Sequence, residues 1–132
     1  RRCRWADVLV QRDAFALVKL WTNSLERDLS RDDGGRRINL DPGLLCLENL
    51  QLASTKNNGC RVYLGRGVFA ELTLRYEHGA FHSLPWTYPD YSSSLVKGAL
   101  LPLRKELKTR LKQGDKSLGG EKISELLQEE KS

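Results

Sequence analysis

Apolar residues recur along this chain with two periods, and the switches between them mark out its elements. Ala14, Val18, Trp21, Leu25 and Leu29 follow at spacings of three or four, the stripe of an amphipathic helix, with Lys19, Asn23, Glu26 and Arg27 off it. Asp13 stands where a side-chain oxygen caps such a helix, and Asp32-Asp33-Gly34-Gly35 supplies its stop. Before it, Arg4 to Val10 reads as a short strand. From Arg36 to Asp41 the period falls to two, with Arg37, Asn39 and Asp41 on one face and Ile38 and Leu40 on the other, which predicts a half-buried strand. Asp41-Pro42-Gly43 is a turn, and a strand follows from Leu50 to Ser54. A meander comes next: strand Arg61 to Leu64, a Gly65-Arg66-Gly67 connection, strand Val68 to Tyr76, a His78-Gly79 turn and strand Ala80 to Leu84. In its middle strand Ala70, Leu72, Leu74 and Tyr76 share one face, expected against Val18, Trp21 or Leu25, while Glu71, Thr73 and Arg75 share the other. Val96, Leu100, Leu103, Leu107 and Leu111 restore the helical period from about Ser94, and Pro102 is expected to kink that helix or start a second segment.

Together these elements predict an α+β domain: an antiparallel sheet of about four or five strands with the two amphipathic helices packed on one face. With 132 residues, 39% of them apolar, the chain makes one domain, placed at residues 1–112. Residues 113–132, opening on Gly114, Gly119 and Gly120 and then largely charged, are expected as a flexible tail. No apolar run approaches a membrane span and no secretory signal opens the chain, so a cytoplasmic protein is expected. Lacking Met even at position 1, the chain reads as a processed product or a fragment. Cys3, Cys46 and Cys60 lack paired metal-ligand spacing and no metal site is assigned; His78 and His82 have no nucleophile at readable spacing.

The net charge of +5 permits an anionic ligand without demanding one. Polar residues on successive strands carry the candidate chemistry. In the simplest reading they form a solvated sheet face with cross-strand ion pairs such as Arg61 with Glu71. In the sharper one the face is a ligand cleft: Asn39, Lys56, Arg61, Thr73 and Arg75 bind an anionic or nucleotide-like ligand, while Asp41 and Glu71 hold a metal or transfer protons. Ser54-Thr55-Lys56 at a strand end adds hydroxyls and an ammonium. Trp86 to Tyr91 sets three aromatics around Pro89, either as cover for the core edge or as a stacking surface for an RNA-binding module. A non-catalytic protein-interaction domain is the third alternative, and whether the chain is an enzyme stays open.

Six blocks, Lys19-Leu20-Trp21-Thr22-Asn23, Asn39-Leu40-Asp41-Pro42-Gly43, Ser54-Thr55-Lys56, Arg61-Val62-Tyr63-Leu64, Ala70-Glu71-Leu72-Thr73-Leu74 and Trp86-Thr87-Tyr88-Pro89-Asp90-Tyr91, stand in an order and spacing that resemble the bacterial DUF4416 family, whose function is unknown. The resemblance implies a longer N-terminal region, with another strand and helix, than this chain carries. Some members bear a GTP-binding label. A phosphate loop needs a Gly-rich turn ending in Lys-Ser or Lys-Thr between a strand and a helix, and neither Lys116-Ser117 nor Gly65-Arg66-Gly67 has that context.

Overall fold

A computed structural model describes residues 5–6, 8–31 and 40–131. A short 3-10 turn, Arg12–Ala14, runs straight into α1, Phe15–Arg31. Five strands follow, β1 Gly43–Leu45, β2 Asn49–Ser54, β3 Arg61–Gly65, β4 Val68–Glu77 and β5 Ala80–Ser83, then α2 Pro89–Ser92, α3 Ser94–Gln113 and α4 Gly120–Lys131. The fold is α+β with an antiparallel five-stranded sheet, as its alternating strands lead one to expect. Its order is β1-β2-β4-β3, with β5 also on β4. Because β2 pairs with β4 through positions 69–75, β3 and β5 lie end to end along the opposite edge of β4.

The helices take opposite faces of the sheet, where the sequence pattern suggested a shared one. Leu50, Leu74 and Phe81 pack with Tyr91 and Leu100 beneath α3, whereas Ala53 and Val68 pack with Phe15 and Ala16 of α1. Leu50 and Ala53 have opposite parity on β2, so each core belongs to a different face. The reason lies at Thr73. Leu50 pairs with Leu74 but Gln51 with Leu72, which leaves Thr73 as an extra residue, a bulge. Glu71, Leu74 and Tyr76 therefore share the α3 face, and Leu74 is buried there rather than against α1. Two-residue alternation read straight through β4 misses this switch.

Further expectations change or fall outside the described residues. Pro102 lies inside a single helix, α3, begun by the Ser93 hydroxyl, which accepts from the Val96 N–H at 3.2 Å, and closed by Gly114 at φ 71°. The residue four positions before Pro102, whose carbonyl the ring crowds, is Gly98; both face water, so the lost hydrogen bond is replaced by solvent. The segment expected as a flexible tail folds back. Leu118 pairs with Leu9 and Gln11 through backbone hydrogen bonds of 2.7 and 2.8 Å, and Ile123 of α4 is buried against Ala14 of the 3-10 turn and Leu17 of α1. The strand expected from Arg36 to Asp41 falls largely outside the described residues; Leu40 and Asp41 belong to no strand. Of the strand expected up to Val10, the described residues show one parallel bridge, Val10 with Leu118.

Candidate functional site

β2 and β3 run in the same direction on either side of β4, so residues 55–60 must carry the chain across β4 from one to the other. Parallel strands are ordinarily joined by longer connections. Here one side chain ties the short one down. Arg61 donates from Nε to Glu71 Oε1 at 3.2 Å, and from Nη1 to the Ser54 hydroxyl at 3.0 Å and the Lys56 carbonyl at 2.6 Å. Arg61 and Glu71 are direct cross-strand partners, and their side chains are 13% and 6% exposed. A guanidinium whose planar fork meets a carboxylate, a hydroxyl and a carbonyl at once suits this task as a Lys ammonium would not. The last residue of β2, the crossover, the first of β3 and the middle of β4 are thereby locked together.

Of the candidate ligand-binding residues, the structure brings Lys56, Arg61 and Glu71 together, with the charges of Arg61 and Glu71 directed at each other. The Lys56 ammonium is exposed, as only the backbone carbonyl of this residue enters the network. Thr73 is fully buried at the bulge and its hydroxyl donates to the Glu71 carbonyl at 3.2 Å. Arg75 is exposed and ion-paired with Glu77. Asn39 lies outside the described residues. Asp41 stands elsewhere, on the wall of a cleft of about 850 Å³ along the β1 edge between residues 8–12, α1 and α3, which Glu71 does not line. Among the described residues no cluster of three or more His, Cys, Asp and Glu side chains could hold a metal.

The segment after β5 is tied to the sheet at Trp86 and Thr87, while Tyr88 is exposed. Between the stretches of β4 that pair with β3 and with β5, the carbonyls of Leu72 and Thr73 lack a strand neighbour on that edge. Trp86 Nε1 donates to the first at 2.7 Å, and the Thr87 hydroxyl donates to the second at 2.6 Å while accepting from the Leu84 N–H at 2.8 Å. Tyr91 fills the core under α3.

Arg12 donates to Glu48 at 3.0 Å, and beside this pair Cys46 is buried at the end of β1. Burial pushes the Cys46 thiol above its ordinary value, with Glu48 acting in the same sense and Arg12 against it.

The surface that motif reading passed over is the free side of β3. Among the described residues no strand pairs with it, and Val62, Tyr63 and Leu64 are 69%, 59% and 41% exposed. Tyr63 leans on Phe69 with ring centroids 5.1 Å apart, and its hydroxyl accepts from the Gly67 N–H at 3.1 Å. An apolar run through a short strand normally reports burial on both faces. Here it reports an open edge.

A family model described as a domain of unknown function, DUF4416, matches residues 1–107. The chain belongs to the DUF4416 family. Four of the blocks by which the DUF4416 resemblance was read meet around β4: Ser54-Thr55-Lys56, Arg61 to Leu64 and Ala70 to Leu74 at the Arg61 tie, and Trp86-Thr87 at the gap. The matched part of this DUF4416 chain stops short of α4. No curated protein and no solved structure matches it. No helix among the described residues is long and apolar enough to cross a membrane.

Proposed function

We propose that this DUF4416 domain acts by binding another protein, with the free edge of β3 as the recognition element. The observation that carries this reading is the exposure of Val62, Tyr63 and Leu64 on an edge strand. An unpaired edge presents a row of backbone donors and acceptors that an added strand can satisfy, and neighbouring apolar side chains supply contact area. Natural edges usually carry charge to prevent such pairing, and the centre of β3 carries none.

Binding of an anionic or nucleotide-like ligand on the same face has weaker support, since the Arg61 guanidinium is occupied by Glu71, Ser54 and Lys56. RNA binding through the Trp86 to Tyr91 segment also has weaker support: Trp86 and Tyr88 are exposed, but the Trp86 N–H is taken up by the Leu72 carbonyl and Tyr91 is buried in the core.

Selection of random peptides displayed on phage against the full chain tests the proposal. Peptides should be recovered whose binding is lost in Val62→Lys/Leu64→Lys, a variant whose circular dichroism and melting temperature match the parent. Recovery only of peptides indifferent to both changes would refute it, as would saturable binding of short single-stranded RNA that depends on Trp86 and Tyr88.

A further inference from the structure

The other edge of the sheet is also free, and it is enclosed where β3 is open. Among the described residues β1 pairs with β2 alone, and the cleft of about 850 Å³ between α1 and α3 runs along its unpaired side. Leu45 packs into the core under α3 and Leu44 into the one under α1, so β1 marks the line where both cores stop. Beyond it Val18 and Trp21 of α1 and Leu103 and Leu107 of α3 line the cleft. Trp5, Val8 and Leu111 carry the same apolar wall out to exposed positions. Apolar walls that continue past the edge of a sheet, on both of its faces, are the surroundings of a buried strand.

The backbone of β1 is turned toward the same space. The Ala53 N–H donates to the Pro42 carbonyl at 3.1 Å, and the Cys46 N–H donates to the Asn49 carbonyl at 2.8 Å. Bonded and non-bonded pairs alternate along an antiparallel ladder, so Leu44 bonds to Gln51, its partner in register. Gly43 and Leu45 then direct their N–H and C=O groups away from β2. Both residues line the cleft, and no hydrogen bond among the described residues satisfies them on that side. An added strand would supply partners to these two donors and two acceptors together.

The charge on the cleft wall is unbalanced. Arg12 is paired with Glu48 and Arg110 with Asp115. Asp41 and Glu106 also line the cleft, and both are exposed carboxylates with no ion pair among the described residues. On a chain of net charge +5, the unpaired charge of this cleft is therefore negative.

We infer that the cleft takes an extended segment of a partner protein, apolar on both faces and flanked by lysine or arginine, which joins the sheet beside β1. The outward backbone groups call for a strand, the two walls for apolar side chains on both of its faces, and Asp41 and Glu106 for its cations. A small apolar molecule would leave the β1 groups without partners. Because β1 and β3 are opposite edges of the sheet, this site is independent of the docking role given to β3.

The test uses the full chain and three blocked synthetic peptides of about nine residues with a common Val-Leu-Val-Leu-Val centre. One is ended by lysines, one by aspartates, and the third is the lysine-ended peptide with every backbone nitrogen of its centre methylated. Binding is read by fluorescence anisotropy at low and high salt. The lysine-ended peptide should bind about tenfold more tightly than the aspartate-ended one at low salt. High salt should remove that advantage, and Asp41→Lys/Glu106→Lys should invert it in a variant whose circular dichroism matches the parent. Methylation should abolish binding, because it removes the donors and keeps the side chains. Val62→Lys/Leu64→Lys should leave the preference for the lysine-ended peptide unchanged. Equal binding of the lysine- and aspartate-ended peptides would overturn the basic partner, and binding that survives methylation would overturn strand pairing. Binding of no peptide would sink the inference, and saturable uptake of the neutral dye N-phenyl-1-naphthylamine in that case would assign the cleft to a small apolar molecule. An oligomer in light scattering that Val62→Lys/Leu64→Lys abolishes and Asp41→Lys/Glu106→Lys weakens would assign the cleft to β3 of a second copy, and would equally overturn it.

Discussion

Arg61 shows how a residue that looks like a ligand contact can be a structural tie. If its charge serves mainly to hold the crossover, Arg61→Ala should destabilise the fold by about 3 to 5 kcal/mol, the cost of stranding a buried charge. Were it a surface cation kept for a ligand, the loss would stay within about 0.5 kcal/mol. Replacing both partners, Arg61→Met with Glu71→Leu, should return most of the stability, because no uncompensated charge remains. Urea denaturation of the single and double variants separates these cases. Trp86→Phe tests the neighbouring device: it keeps the ring but leaves the Leu72 carbonyl without its 2.7 Å donor, and should cost about 1 to 2 kcal/mol. Cys46 and Cys60 differ in the same local way. Cys46 is buried and Cys60 partly open, so mass-mapped alkylation at neutral pH should modify Cys60 first and reach Cys46 only as the protein unfolds. The folded state holds the Cys46 proton more tightly than the unfolded chain, so stability from this group is complete below the ordinary thiol value of about 8.5 and falls as pH rises through it. Cys46→Ala should flatten that alkaline decline; an unchanged slope would assign the decline to other groups.

At the level of elements, strand positions were legible because β2, β3, β4 and β5 are each bounded by turn residues such as Asn58-Gly59 and His78-Gly79, with His78 at φ 52° and Gly79 at φ 78°. The side to which each residue points was less legible, since one extra residue at Thr73 exchanges the faces of β4. The tail was misjudged because its composition is polar. Leu118, Ile123 and Leu127 suffice once the 3-10 turn presents Ala14 and α1 presents Leu17 and Trp21 to receive them, and a short helix marginal alone becomes stable on such a surface. Deleting residues 115–132 should therefore lower the melting temperature clearly, and Ile123→Ala alone should cost about 2 to 5 kcal/mol in chemical denaturation.

Across the whole molecule, the sequence by itself determined the class of the fold, the order of most of its elements and the family to which it belongs. Those properties depend on local period and turn chemistry, which are written in consecutive residues. It also paired the right two charges, Arg61 and Glu71, in its simpler reading of the polar face. Tertiary structure decided what that pairing does. Whether an ion pair lies open to a ligand or is closed beneath the chain depends on the crossover between β2 and β3, which brings residues 55–60 over β4. Tertiary structure likewise separated Asp41 from Glu71, set α1 and α3 on opposite faces, and left Val62, Tyr63 and Leu64 uncovered. Each of these is a relation between segments distant in the chain, and the period of any one segment carries no record of what packs against it.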